Sequence, residues 1–138
     1  MFAETIKYKN KGHFTFKKGG KLSHVSKEVP KLPGIYYIVK IVKDVKELVY
    51  IGKAGTMRME GTFSAQSLKG RINNKHGDVK RQIYFENKYE AEQIDSLEVY
   101  WFVTFDENHN DLPGFVEGLL IQRYYEKFDS LPLWNKEF

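Results

Sequence analysis

The chain has 138 residues, a net charge of +4 and no cysteine. That length suits one domain with its own core, and the absent thiols exclude disulfides and thiolate metal sites. No apolar run approaches the roughly 18 residues of a membrane span, and Met1-Phe2-Ala3-Glu4-Thr5-Ile6-Lys7 lacks a signal peptide's apolar core, so a reducing cytoplasm is the expected location.

In chain order, residues 1–30 are polar and basic, with a strand expected at His13-Phe14-Thr15-Phe16 and a turn at Lys17-Lys18-Gly19-Gly20. Pro30 and Pro33 delay the next strand until Gly34, because proline cannot donate to a ladder. Gly34 to Val42 and Leu48 to Ile51 are rich in Ile, Val and Tyr and read as a β-hairpin turning over residues 43–47. Residues 55–62 form a loop bounded by glycines. Ser64 or Ser67 then caps a helix expected to run to His76, with Leu68 and Ile72 on its core face. A short polar helix is expected over 87–96, leaving Tyr84, Phe85 and Tyr89 as candidates for exposed aromatics. The near-continuous apolar run from Leu97 to Phe105 predicts a strand buried on both faces. Leu112-Pro113-Gly114 opens a helix from Phe115 to Lys127, and an extended tail completes the chain. The order predicts an α+β fold, a small and mainly antiparallel sheet flanked by helices.

Charge is unevenly spread. Residues 1–53 hold 12 Lys and no Arg against 4 acids, a balance of +8, while residues 54–138 balance to −4. Such asymmetry either orients a protein on a polyanion or gives a solvated lysine-rich surface. Glu117 heads a helical stripe through Leu120, Ile121, Tyr124 and Phe128. A carboxylate there needs a cation, a partner or nearby solvent. Arg71 offers a planar fork that matches phosphate oxygens. The four histidines show no metal-ligand spacing, and no phosphate-cradling glycine fingerprint is present.

Gly34-Ile35-Tyr36 and Tyr50-Ile51-Gly52, with Lys53-Ala54 directly after, resemble the paired motifs of the GIY-YIG nuclease superfamily. Ser67-Leu68-Lys69-Gly70-Arg71-Ile72 resembles that family's arginine helix, Glu117 its metal-binding glutamate and Asn135 its late asparagine. Restriction-enzyme members often carry a histidine four residues after the arginine. Here that position is Lys75, and His76 comes one later as the candidate. The spacing from Tyr36 to Tyr50 is slightly longer than usual, and residues 55–66 are an insertion.

The resemblance implies a GIY-YIG-like domain over 31–138; the charge balance makes the basic extension over 1–30 the expected DNA contact, with Lys17, Lys18 and Lys21 expected to flank the cleft. It implies a metal-dependent DNA endonuclease of the restriction or mobile-element type. Tyr36, Tyr50, Lys53, Arg71, His76, Glu117 and Asn135 would form the site, and Glu117 would hold Mg²⁺ or another divalent cation such as Mn²⁺. Either tyrosine, as a tyrosinate, would take the proton of the attacking water. Two alternatives stay open: a non-catalytic nucleic-acid-binding module with the same fold, and a nuclease subunit working as a homodimer or with a targeting partner.

Overall fold

The computed structural model describes residues 1–138. It is an α+β fold built on a four-stranded antiparallel sheet of order β1-β6-β2-β3. The strands are β1 (Lys11–Phe16), β2 (Gly34–Val42), β3 (Val45–Ala54) and β6 (Ser96–Val103). A separate two-stranded hairpin comprises β4 (Lys75–His76) and β5 (Val79–Lys80). Four helices complete the fold: α1 (Leu22–Val25), α2 (Leu68–Asn73), α3 (Arg81–Glu92) and α4 (Pro113–Phe128). No helix is long and apolar enough to cross a membrane.

The sheet is buried on both faces, as the Ile- and Val-rich inner strands require. On one face Tyr36, Ile38, Val99 and Trp101 pack with Leu68 and Ile72 of α2 and Phe85 and Tyr89 of α3. On the other, Ile35, Tyr37, Val39, Ile51 and Phe102 pack with Val116, Leu120 and Ile121 of α4. Alternation along β2 thus sends Tyr36 and Tyr37 into different layers.

Residues 1–30 are built into this fold rather than standing apart as an appendage. β1 pairs with β6 in register from Lys11↔Phe102 to Phe16↔Leu97. Tyr8, Phe16, Leu22 and Val29 are buried. An inner strand needs partners on both edges, and β1 satisfies the second edge of β6.

The hairpin turn is tighter than its sequence suggests. Lys43 and Asp44 both have positive φ, 50° and 65°, the signature of a two-residue turn that matches the twist of the strands. A register shift between Ile38 and Val39, opposite Tyr50 and Leu48, makes Val49 an extra residue in β3. This bulge bends the strand just before the second tyrosine motif.

Three local readings are corrected. The helix expected to reach His76 ends at Asn73. Asn73 and Asn74 are poor helix formers, and Gly77 with φ 64° turns the tight β4–β5 hairpin. The helix expected over 87–96 begins instead at Arg81 and ends at Glu92, where Gln93 adopts a left-handed cap with φ 50°. Tyr84, Phe85 and Tyr89 are not an exposed set. Phe85 and Tyr89 are core residues, Tyr84 is half-buried, and the Tyr89 hydroxyl donates to the Phe16 carbonyl. Along α4, Leu120 and Ile121 are buried as expected, but Phe128 at the end of the stripe is 52% exposed.

Candidate active site

Tyr36 and Tyr50 stand on adjacent strands and on one face of the sheet. The register pairs Tyr36 with Gly52 and Ile38 with Tyr50, so the tyrosines are diagonal neighbours. Their ring centroids are 6.0 Å apart. Gly52 makes this possible: a Cβ there would lie 2.7 Å from Tyr36 Cζ and 2.8 Å from Tyr50 Cε2. The glycine of the second motif is therefore the floor across which the Tyr36 ring lies. Gly34, in the first motif, has a different reason. A Cβ there would sit 2.0 Å from the Phe102 carbonyl oxygen, so β2 and β6 require a bare backbone at that point.

Lys53 comes directly after Gly52 and, by alternation, lies opposite Ile35 on the α4 side of the sheet. Gly114 of α4 approaches it, since a Cβ at Gly114 would meet Lys53 Cδ at 4.0 Å. Glu117, one turn farther along α4, is half-buried. Burial raises its proton affinity, while the charges of Lys53 and Arg71 oppose that rise. Arg71 projects from α2, whose N-terminus Ser67 caps by accepting from Gly70 N–H at 3.2 Å. The pattern Leu68/Ile72 buries the opposite side of that helix and leaves Arg71 exposed.

Tyr50 feels Glu117 as well as Tyr36, Arg81 and Arg71. Burial is the largest influence on its phenol and, with Tyr36 and Glu117, pushes it well above the ordinary tyrosine value, against Arg81 and Arg71. Tyr36 and Tyr50 lie on one face at the open end of the β2–β3 hairpin and Lys53 on the other, while the charges of Arg71 and Glu117 act on Tyr50 and those of Lys53 and Arg71 act on Glu117.

His76 reaches the same place by a different route from a helix end. The β4–β5 hairpin lays its ring on Tyr84 at 3.8 Å, nearly parallel, and 5.1 Å from the Tyr50 ring. Its Nδ1 is buried without a protein partner. Burial first, then Arg81, Lys136, Arg71 and Lys88, lower its pKa to about 4, so the imidazole is neutral at neutral pH. Stability depends on pH as a result. The unfolded chain protonates His76 near 6.5 and the folded chain near 4. Between those values the unfolded state binds more protons, so stability falls as pH drops through that window. Urea unfolding at pH 7 and at pH 4.5 should show this loss, and a His76→Asn variant should show less of it.

Asn135 sits behind the site rather than in its opening. Ile51 N–H donates to Asn135 Oδ1 at 3.0 Å, and Asn135 Nδ2 donates to the Ile51 carbonyl at 2.9 Å. The side-chain amide therefore acts as one more strand on the outer edge of β3, just between Tyr50 and Gly52. Trp134 N–H adds a bond to the Val49 carbonyl at 2.8 Å. The tail thereby clamps the segment that carries the second tyrosine.

One residue of the site escaped the sequence reading. Arg81, the first residue of α3, is 1% exposed, and its Nη2 donates to Tyr36 Oη at 3.0 Å. A signal was present: Arg81, Phe85 and Tyr89 recur every four residues, which places an arginine on an apolar helix face.

A cleft of about 1040 Å³ opens over α2 and the β4–β5 hairpin, with walls that include Gln66, Ser67, Arg71, Asn74, Lys75 and Lys80; of the predicted site residues Arg71 alone lines it. It contains three cations and no carboxylate. Lys17, Lys18 and Lys21 do not line it. They are exposed around the turn before α1, and Lys18 pairs with Glu90 at 3.6 Å. That turn is held to α3 by Gln82, which accepts from Leu22 N–H at 2.7 Å and donates to the Gly20 carbonyl at 3.0 Å.

No three potential metal-ligating side chains cluster in the fold. A divalent cation would rest on the single carboxylate of Glu117, a donor set that suits Mg²⁺ or Mn²⁺ completed by water and substrate phosphate. Comparison with protein-family models, curated proteins and solved structures gives no match.

Proposed function

We propose that this chain is a divalent-metal-dependent DNA endonuclease of the GIY-YIG type. What supports the reading is the Tyr36–Tyr50 pair, with the charges of Arg71 and Glu117 acting on Tyr50 and those of Lys53 and Arg71 on Glu117, and with Arg71 also lining a cleft that has cations and no carboxylate. Paired phenols with a fork-shaped cation and one half-buried carboxylate serve phosphodiester hydrolysis. They have little use as a fold-stabilising group, since each buried polar atom opposes folding unless paired.

In this reading a water oxygen attacks phosphorus and gives its proton to a tyrosinate of the pair, as the resemblance implies, while the bond to the leaving oxygen breaks and that oxygen takes a proton from solvent. Glu117 would hold a divalent cation, which would supply Lewis-acid stabilisation of the charge that develops on the reacting phosphate. Arg71 faces the charge that builds on the non-bridging oxygens, where donors count most. Lys53 adds a point charge beside it. Tyr50, kept protonated by burial, orients water or phosphate as a hydrogen-bond donor. Neutral His76 backs the Tyr50 ring and fixes its angle. Asn135 holds the backbone of Ile51 so that Tyr50 and Gly52 keep their register.

The test is plasmid nicking. Purified protein is expected to relax supercoiled DNA in Mg²⁺ or Mn²⁺ and to stop when the metal is chelated. Duplex binding without relaxation in either metal would replace this reading with the non-catalytic module. The cleft also makes a binding prediction. Neutralising Lys75 and Lys80 together should flatten the salt dependence of duplex affinity by about 0.9 per lost phosphate contact. A larger change from the triple Ala variant of Lys17, Lys18 and Lys21 would move the DNA path to the turn before α1.

A second reading keeps the chemistry and adds a homodimer or a targeting partner. It is favoured by a largely apolar cleft of about 720 Å³ between the N-terminus, the β2–β3 turn and the end of α4. Val45 and Phe128 at its rim are more than half exposed. A particle of twice the chain mass in sedimentation at cleavage concentrations supports the dimer.

A further inference from the structure

The cleft over α2 and the β4–β5 hairpin carries more than phosphate-binding charge. Arg71, Lys75 and Lys80 line it, and none of the three takes part in a salt bridge. Beside them stand two side-chain amides, Gln66 and Asn74. Both residues are exposed, and neither amide has a hydrogen bond within the protein. Asn73 is different. Its Nδ2 donates to Ser26 Oγ and to the Lys69 carbonyl, both at 2.9 Å. Of two adjacent asparagines, one is committed to the fold and the other is left open.

The backbone holds the free amides in place. Asn74 is the C-cap of α2. Its N–H donates to the Gly70 carbonyl at 2.8 Å, and its carbonyl accepts from Arg81 N–H at 2.7 Å. Gln66 directly precedes Ser67, whose side chain caps the same helix. Leu68 N–H ties the helix start to the Leu32 carbonyl at 2.9 Å. The two amides thus flank the helix that carries Arg71. At a rise of 1.5 Å per residue, the stretch from 66 to 74 spans about 12 Å. The major groove of B-DNA is about 12 Å wide.

Cations and amides act differently on a nucleic acid. Unpaired cations favour phosphate oxygens whatever the sequence. A phosphate oxygen only accepts, so it leaves the carbonyl half of an amide unused. An adenine edge uses both halves, because N6 donates and N7 accepts. The major groove of A-form RNA is too deep and narrow for side chains to reach such an edge.

We propose that Gln66 and Asn74 read adenine edges in the major groove of duplex DNA, while Lys75 and Lys80 hold neighbouring phosphates. This role takes its partner, DNA, from the nuclease reading but needs no catalytic step. Arg71 joins the two functions, since it lines the cleft and its charge acts on Tyr50 and Glu117. The bases read are then held in register with the phosphate that Arg71 faces.

The test is a binding selection on the full chain without divalent metal, so that no strand is cut. A duplex pool with a randomised core is bound, recovered and sequenced. The parent should enrich adenine at one or two positions. Replacing such an adenine with 7-deaza-adenine removes the N7 acceptor and should weaken binding at least about fivefold. Gln66→Ala and Asn74→Ala should each erase one preferred position and leave the salt dependence unchanged. Gln66→Glu accepts but cannot donate, and should move its position from adenine towards cytosine, whose N4 donates. The double Ala variant of Lys75 and Lys80 should do the reverse: affinity falls for every sequence while the adenine preference stays. Should an Ala variant not fold, the 7-deaza-adenine result on the parent and the Gln66→Glu shift decide the outcome. Absence of duplex binding, binding without adenine preference, a preference that survives both Ala variants, or tighter binding to structured RNA overturns the readout. Plasmid relaxation tests the nuclease reading separately. Adenine readout in a chain that never relaxes plasmid upholds this role and removes only the nuclease reading.

Discussion

Replacing Glu117 with Gln is expected to lower Mg²⁺-dependent cleavage about 10³-fold, a barrier increase of about 4 kcal/mol, while duplex binding persists. The amide keeps the shape of the side chain but is a poor ligand for a hard cation. The same change should not destabilise the fold. Burial raises the proton affinity of Glu117 in the folded protein above the value of an exposed carboxylate. A raised carboxylate means that the folded state binds more protons through that window, so stability falls as pH rises through it. Above the window the ionised group works against folding in full, and Gln removes that opposition. Nicking rates, filter binding and thermal unfolding at pH 7 check the three parts together. Parental cleavage rates would end the metal assignment. A large drop in melting temperature would reassign Glu117 to the fold.

Placing a methyl group on either motif glycine should separate fold from site. Gly34→Ala brings a Cβ to 2.0 Å from the Phe102 carbonyl oxygen, a backbone atom of the neighbouring inner strand. Relief requires β2 to leave β6, so a loss of more than about 3 kcal/mol is expected, with little folded protein recovered. Gly52→Ala instead meets side chains: Tyr36 Cζ at 2.7 Å, Tyr36 Oη at 2.8 Å and Tyr50 Cε2 at 2.8 Å. Tyr36 is fully buried and has nowhere free to go. This variant should fold with a loss of about 1–3 kcal/mol. The tyrosines are displaced, and a misplacement of about 1 Å lowers turnover roughly 10²-fold. Urea denaturation and nicking assays on both variants provide the check. Gly52→Ala with parental turnover would show that the spacing of the two rings is not what catalysis needs.

Much of the architecture could be read locally. Dense Ile, Val and Tyr around a short polar turn announced the β2–β3 hairpin, and the run from Leu97 announced the inner strand β6. The stripe Glu117, Leu120, Ile121, Tyr124 marked the face of α4 that meets the sheet. The start of α3 was hidden because Arg81, Gln82 and Glu86 make its first turns look solvated, although Phe85 and Tyr89 are core residues. The β4–β5 hairpin was hidden because two-residue strands carry no periodicity, and it is this hairpin that delivers His76 to Tyr50.

By itself, the sequence determined the properties that depend on residue order along one element. It set the strand and helix types, the placement of two tyrosines on neighbouring strands of a hairpin, and the exclusion of thiol chemistry. Tertiary structure alone decided which charges are buried together. Arg81 lies 45 residues from Tyr36 along the chain, and Asn135 lies 84 from Ile51. Their roles come from chain closure rather than local pattern. Period and propensity depend on neighbours a few residues away, whereas the cost of burying a cation depends on every group the fold packs around it. That is why the spacing of Arg81, Phe85 and Tyr89 can mark a buried face of α3 but not the Tyr36 hydroxyl that Arg81 meets there.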